Sequence, residues 1–365
     1  MDAIVAGAGI WGCTVARRLA EAGRKVLVLE KRAAIGGNCR CEIDPETGIE
    51  VHTYGSHIFH TKNEKVGAFV NRFTKFNDYR HCVLANHAGK IYHLPFGRTL
   101  YDEFFGKEKY ELPLNDKQNA AIFDAFIKHY TAKQWGMDAE KVDPAVIKRL
   151  KVRDNYSTDY FDDPHQGIPV EGYNALFERM LDHPNIEVCC NSLFVLNPTI
   201  QQSNNPTIYY SGPIDALFDY KYGPLPWRTL NFELETLNCS DYQGNSVVNY
   251  PDIDVPYTRI HEFRHYHPES NGGLYPTIQQ SNNLRNQTII MREYSGAWKK
   301  GDEPYYPIQN AESAALLAKY QSELARFNQT IQQSNNPTIL CGGRLGGYRY
   351  LDMDQAMAAA LELEI

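Results

Sequence analysis

A short apolar run, Ala3-Ile4-Val5-Ala6, passes directly into Gly7-Ala8-Gly9-Ile10-Trp11-Gly12, which has the spacing G-x-G-x-x-G. After it, Cys13 to Ala22 carries apolar residues three and four apart and stops at Gly23, which predicts a helix with a C-terminal glycine. A second strand, Lys25-Val26-Leu27-Val28-Leu29, closes on Glu30. Each glycine has a mechanical reason: Gly7 allows the tight turn, Gly9 lets the backbone approach a pyrophosphate, and Gly12 lets helix and strand pack closely. The free N–H groups and dipole of the helix start favour negative charge, and Glu30 stands where a ribose-binding acid is expected. A lone glycine pattern is weak evidence, but strand, helix, strand and acid in this order predict the opening of a dinucleotide-binding fold.

A chain of 365 residues has room for two or three domains. Its net charge of −7 offers no broad basic surface, so nucleic acid is excluded as the main partner and any anion must be met by local arginines. The chain enters its first strand at Ala3, and no run approaches the roughly 18 apolar residues of a membrane span. Neither a signal peptide nor a membrane span is therefore expected, and the protein is expected in the cytoplasm. The eight cysteines include Cys39-Arg40-Cys41 and Cys189-Cys190, but nothing in their spacing matches a zinc site. No metal is expected, and all eight read as reduced thiols.

Further along, Glu50 to Thr61 packs histidine and aromatic residues around Gly55, and Tyr79–Asn86 and Lys90–Phe96 read as a hairpin turned at Ala88-Gly89. From Thr99 to Lys151 the pattern is helical, with Ala120–Ile127 as the strongest apolar stripe. Strands are expected at Ile186–Val188, Thr207–Tyr210, Tyr242–Tyr250 and Val255–Ile260, and helices from Ala311 to Phe327 and from Gln355 onward. Each conspicuous residue also has a bland reading. Arg149, in Ile147-Lys148-Arg149-Leu150-Lys151-Val152-Arg153, suits a solvated charged face, Arg259 a strand edge, Trp135 a loop anchor, and the tyrosines a core with satisfied hydroxyls.

Glu30-Lys31-Arg32 followed by Ile35-Gly36-Gly37-Asn38 is similar to flavoproteins of the glutathione-reductase-like and amine-oxidase-like groups, which implies FAD rather than NAD. Three denser stretches narrow this: Tyr54-Gly55-Ser56-His57-Ile58-Phe59-His60-Thr61, Tyr130-Thr131-Ala132-Lys133-Gln134-Trp135-Gly136, and Gly343-Arg344-Leu345 running on to Tyr350-Leu351-Asp352-Met353. From Gly7 to Met353 the chain closely resembles the UDP-galactopyranose mutase family. The resemblance implies an α/β fold in which a Rossmann-like FAD-binding domain (1–75 with 162–216 and 308–365) carries an inserted helical domain (96–161) and an antiparallel β-sheet domain (76–95 with 217–307). It implies interconversion of UDP-galactopyranose and UDP-galactofuranose, with N5 of reduced FAD as nucleophile at the anomeric carbon, in a homodimer.

The resemblance also assigns roles. Gly7, Gly9, Gly12, Glu30, Lys31, Arg32, Gly37, Asn38 and His57 would hold the cofactor, joined from the C-terminus by Arg344, Asp352 and Met353. His60 would sit beside the flavin N5 edge, and Arg149 and Arg259 would clamp the diphosphate as catalytic groups. Trp135 would lie on a mobile loop over the nucleotide and Phe126 and Tyr130 against the uridine, while His81, Tyr160, Asn249, Tyr306 and Tyr350 would complete the substrate site. Two other readings stay open: an FAD-dependent amine or polyene oxidase, and an inactive flavin-containing UDP-sugar-binding protein. The region between Pro95 and Phe123 is shorter than the family pattern, and Thr-Ile-Gln-Gln-Ser-Asn-Asn recurs at 199–205, 277–283 and 330–336, where solvated loops are expected.

Overall fold

The computed structural model describes residues 1–107, 109–141, 152–196, 206–268, 286–332 and 338–365. Its first layer is a five-stranded parallel sheet built from β1 (Ala3–Ala6), β2 (Val26–Leu29), β9 (Ile186–Cys189), β10 (Thr207–Tyr210) and β16 (Ile339–Cys341), in the order β16-β10-β1-β2-β9. Ala3 faces Val26 on one side and Thr207 on the other. Parallel strands need both faces covered. The helix Ile10–Glu21 covers one face with Cys13, Val15, Ala16, Leu19 and Ala20, and packs against the helices Gly172–Leu181 and Met353–Leu361. Leu324 and Phe327 of the helix Ala311–Gln332 close the other face over Ile208 and Ile339. The order reverses between β1 and β10, so a crevice opens at their carboxyl ends, where ligands of such sheets bind.

The second layer is a seven-stranded sheet: β6 (Val83–His87), β7 (Lys90–Leu94), β11 (Trp227–Leu237), β12 (Val247–Asn249), β13 (Arg259–Glu262), β14 (Thr288–Ala297) and β15 (Tyr306–Pro307), ordered β15-β11-β14-β13-β12-β6-β7. It is antiparallel except where β12 runs parallel to β6, with Val247 opposite Val83. The expected hairpin forms through Ala88 and Gly89, both at positive φ. Two ribbons complete the strands: β3 (Cys41–Ile43) with β4 (Glu50–His52), and β5 (Phe59–Thr61) with β8 (His165–Gly167). A helical layer lies on the β6–β7 end, where Leu100, Tyr101, Ile122, Ala125 and Phe126 share a core with Val83, Ala85, Tyr92 and Val247. Its central helix is a chain of three pieces, Asp116–Ile122, a π-helical Phe123–Lys128 and His129–Trp135.

Several expectations shift. Only Val247–Asn249 of 242–250 is strand, because Gln243 and Tyr242 give their N–H groups to Glu262. The two longest strands, β11 and β14, were not expected; they pair from Arg228 opposite Ala297 to Leu237 opposite Thr288. The last helix starts at Met353, with Asp352 and Gln355 forming a capping box. Two copies of the repeated heptad, 199–205 and 277–283, lie outside the described residues; the third begins as helix rather than loop, since helical backbone continues through Gln332. All eight cysteines are free thiols. Among the described residues, no helix is long and apolar enough to cross a membrane.

Candidate active site

The crevice begins with glycines in close approach. A Cβ at Gly37 would lie 2.8 Å from the Gly9 Cα, one at Gly12 2.0 Å from the Gly7 carbonyl oxygen, and one at Gly7 2.2 Å from Ser211 Oγ. The helix Ile10–Glu21 starts at Gly9 with no side-chain cap, which leaves its first N–H groups for an anion. Glu30 is buried, and its two carboxylate oxygens accept from the Ala8 N–H (2.8 Å) and the Arg32 N–H (2.9 Å), so it shapes the glycine turn. The Arg32 guanidinium lies 4.0 Å over the Tyr54 ring, donates to Asn38 Oδ1 and pairs with Glu303 at 2.8 Å. Its Nε is buried without a hydrogen-bond partner. Lys31 points to the same Glu303, at 2.9 Å, on the exposed side. A backbone cradle that any Cβ would fill, an uncapped helix start and an unsatisfied buried guanidinium N–H fit an anionic dinucleotide.

The C-terminal strand and turn bring the other wall. A Cβ at Gly342 would meet the Trp11 ring at 2.1 Å, so this backbone runs directly against the opening helix. Arg344 donates through Nε and Nη2 to the Leu351 carbonyl and through Nη1 to that of Tyr305. Its guanidinium lies 4.7 Å over Tyr350 and 5.9 Å over Tyr306, whose rings stack at 5.9 Å. Trp135 reaches within 6.0 Å of Tyr306. It is not on a loop: it is the last residue of the helix His129–Trp135, which ends at Gly136 in the left-handed region. Arg228 of β11 and Ser295 of β14 hold that end by donating to the Gln134 carbonyl. The Met353 sulfur lies 3.5 Å from Cys39 Sγ, against the core of the first layer.

On the second sheet Arg259 and Asn249 face each other across β13 and β12. The buried Glu293 of β14 sits 3.4 Å from Arg259 Nε and 3.1 Å from His261 Nε2, and Thr258 Oγ1 donates to it. Arg259 Nη2 donates to the Tyr130 hydroxyl, and His261 Nδ1 shares a 2.7 Å hydrogen bond with Ser56. Burial works against the Glu293 charge, but Arg259 and His261 outweigh it and hold the carboxyl down to about 2. Burial likewise works against the Arg259 charge, but Glu293, with Tyr130, Tyr306 and Tyr160 nearby, outweighs it and raises Arg259. The Asn249 Oδ1 is buried with no partner. An acceptor in that state costs free energy until a donor arrives, which marks the place where a ligand hydroxyl would sit.

Between the layers, His60 stacks on Phe161 at 3.6 Å and its Nδ1 lies 2.6 Å from Asp163. The Asp163 carboxylate accepts from Nδ1 and fixes the plane of the ring. His81 lies on Phe161 as well, at 5.4 Å, and against the Tyr160 ring at 5.6 Å. Burial, then Arg259, push His81 down to about 3; burial, then Arg344, push His57 down to about 4. Both are neutral imidazoles at physiological pH.

The structure thus brings together Gly7, Gly9, Gly12, Glu30, Arg32, Gly37 and Asn38 in one place, and Tyr130, Trp135, Tyr160, Asn249, Arg259, Tyr306, Arg344 and Tyr350 in another. Phe126 departs from expectation: it is 6% exposed and packed among His87, Tyr92 and Phe104, so its ring belongs to the core of the helical layer. Arg149 lies outside the described residues. Glu293, His261, Glu303, Phe161, Asp163 and Arg228 went unnoticed in the sequence. The short apolar run Ile289-Ile290-Met291 is the local signal for the strand that carries Glu293, but only strand register shows what Glu293 faces.

A model of the UDP-galactopyranose mutase family matches residues 125–350, and one of the NAD(P)-binding Rossmann-like domain matches residues 5–73. A probable UDP-galactopyranose mutase of Klebsiella pneumoniae is 37% identical, covering 98% of this chain and 92% of its own. The dTDP-fucopyranose mutase of Escherichia coli is 36% identical, covering 98% and 96%. A solved structure of reduced UDP-galactopyranose mutase superimposes with a TM-score of 0.68 over 99% of this chain and 94% of that one, at 16% identity.

Proposed function

The chain is an isomerase that belongs to the UDP-galactopyranose mutase family, and from that premise we propose that it interconverts UDP-galactopyranose and UDP-galactofuranose with reduced FAD held in the glycine cradle. The observation that supports this most is the pairing of Arg259 with the unsatisfied Asn249 Oδ1, opposite the tyrosines that lie against Arg344. An oxidase acting on apolar substrates has no need of such a cation.

In this reading the cradle and Arg32 take the pyrophosphate of FAD, Lys31, Glu30 and Asn38 lie along its ribose side, and Arg344, His57, Asp352 and Met353 frame the flavin. When bound and reduced, FAD supplies the nucleophile, N5, that displaces UDP from the anomeric carbon. Arg259 then offsets the charge of the departing diphosphate, aided by the Tyr306 and Tyr350 hydroxyls, and keeps UDP in place for its return. Arg149 is the proposed second clamp. Tyr130 fixes the Arg259 fork, Asn249 Oδ1 accepts from a sugar hydroxyl, and Trp135 covers the nucleotide. His60, with Nδ1 held by Asp163, offers Nε2 as an acceptor next to the reacting sugar, while His81 and Tyr160 build the wall behind Phe161. The division into 1–75 with 162–216 and 308–365, 96–161, and 76–95 with 217–307 belongs to the same proposal, as do a homodimer and a cytoplasmic location.

The test is incubation with UDP-galactofuranose, with and without dithionite, and chromatography of the products, with dTDP-fucopyranose run in parallel. UDP-galactopyranose should form only with dithionite. Turnover of the dTDP-sugar alone would move the substrate assignment to the 6-deoxy sugar, and an unchanged UDP-sugar under both conditions, in FAD-loaded protein, would refute the mutase reading.

A further inference from the structure

Lys133 lies in the last turn of the helix that carries Tyr130 and Trp135. A lysine there ordinarily meets the free carbonyls of its own helix end or stays in solvent. This one crosses to the segment that joins β12 to β13, where its Nζ reaches the carbonyl oxygens of Tyr250 (2.5 Å), Asp252 (2.9 Å), Val255 (2.9 Å) and Tyr257 (3.0 Å). An ammonium has three protons, so four carbonyl acceptors converge on it as they would on a bare monovalent cation stripped of water. Asp252 and Asp254 add negative charge nearby and partly offset the burial that brings the ammonium down to about 8.

The segment so gripped is the connection between two residues of the proposed substrate site. It closes at its foot by the Tyr250 N–H on the Thr258 carbonyl, and the next pair along the ladder is Asn249 with Arg259. On its outer side the Asp252 carboxylate accepts from the Ala88 N–H (2.7 Å) and from His87 Nδ1, at the turn of the β6–β7 hairpin. The helix end is fixed separately by Arg228 and Ser295. Without a cation the four carbonyls would be left facing one another, a repulsive arrangement that the segment can relieve only by opening.

We propose that Lys133 is a positioning residue whose ammonium serves as the built-in cation of a four-carbonyl cage, and that this cage holds Asn249 and Arg259 at the spacing the substrate requires. The role of those two residues rests on the proposed function. The cage itself does not.

Lys133→Ala empties the cage while leaving its four carbonyls. In ligand-free protein, amide exchange over 249–259, followed by mass spectrometry, should be at least tenfold faster in this variant. It should slow again on adding 50–100 mM ammonium or potassium chloride, on the order of the concentrations at which weak cation sites fill, but not with tetramethylammonium chloride at the same ionic strength. Lys133→Met keeps most of the stem and blocks the cage; it should show the fast exchange with no response to ammonium, and it serves alone if the alanine variant does not fold. In the mutase assay kcat/KM of Lys133→Ala should fall at least tenfold and recover with ammonium alongside the exchange. Wild-type exchange in both variants, or fast exchange that ammonium and potassium leave unchanged in Lys133→Ala, would overturn the cage. An active wild type with fast-exchanging yet fully active Lys133→Ala would overturn the positioning role, whereas a wild type without mutase activity in FAD-loaded, reduced form refutes the function and leaves the exchange result standing.

Discussion

Replacing Glu293 by Gln tests the buried charge network at its centre. Glu293 is 3% exposed and faces Arg259 and His261. Its carboxyl is held at about 2 against an ordinary value of 4.5. A group with a depressed folded value contributes stability that is complete above the ordinary value and is lost as pH falls toward the folded one. The difference of about 2.5 units corresponds to about 3 kcal/mol at neutral pH. Gln has nearly the shape of the protonated acid, so Glu293→Gln should cost about that much at pH 7.5, in line with the roughly 3–5 kcal/mol lost when one partner of a buried pair is removed. The gap should narrow by about 1 kcal/mol by pH 4 and by about 2 kcal/mol by pH 3, because there the unfolded wild-type chain takes up a proton that the folded carboxylate still refuses. Urea unfolding of both proteins across this pH range measures the gap directly. A gap below about 1 kcal/mol at pH 7.5, or one that stays constant down to pH 3, would refute the reasoning.

His57 and His81 are held at about 4 and about 3, below the ordinary 6.5, so the stability they contribute is full above 6.5 and drains as pH falls toward those values; urea midpoints should decline from near pH 6.5, and a midpoint flat down to pH 5 would contradict this. Gly9→Val puts a branched side chain against the Gly37 Cα and should abolish FAD retention, read from the flavin absorbance of purified protein; a yellow variant would refute the cradle. Arg259→Ala should lower kcat by roughly a hundredfold if it removes about 3 kcal/mol of leaving-group stabilisation, and Arg259→Lys should recover little because the paired hydrogen bonds are lost; near-normal kcat in the alanine variant would reduce Arg259 to a structural partner of Glu293.

The opening βαβ unit was legible, its strands to within a residue and its helix start to within three, because its glycines, helix period and strand-ending acid are all local signals. The hairpin at Ala88-Gly89 was legible for the same reason. β11 carries a local signal too, with Leu230, Phe232 and Leu234 alternating with polar residues, whereas β14 opens on an apolar run, Ile289-Ile290-Met291, that periodicity alone cannot tell from buried helix. Glu293 and Lys133 show a different limit. The partners of Glu293 lie on a neighbouring strand, and those of Lys133 are main-chain carbonyls more than a hundred positions away, which no residue pattern announces. Phe126 and Trp135 differ for a third reason: a resemblance transfers a residue to a site, but local packing turned the Phe126 ring into the core and local backbone put Trp135 at a helix end instead of on a loop.

The parallel pair β6–β12 joins Val83 to Val247, so the β6–β7 end is tied to the rest of the second sheet by segments 164 positions apart (247 − 83). A ribosome releasing this chain exposes the β6–β7 hairpin, with one edge of β6 unpaired, long before β12 exists. Such an edge is a template for pairing with any other extended chain, and contacts of this sequence separation are slow to form. The hairpin strands are only five residues each, and Lys90 stands at their turn, which keeps the ribbon short and adds a charge beside it while it waits. Production of this protein should therefore be limited by events during synthesis rather than by the stability of the finished sheet: slower translation or chaperone supply between the emergence of Leu94 and that of Asn249 should raise the soluble yield, and stabilising the native core should not.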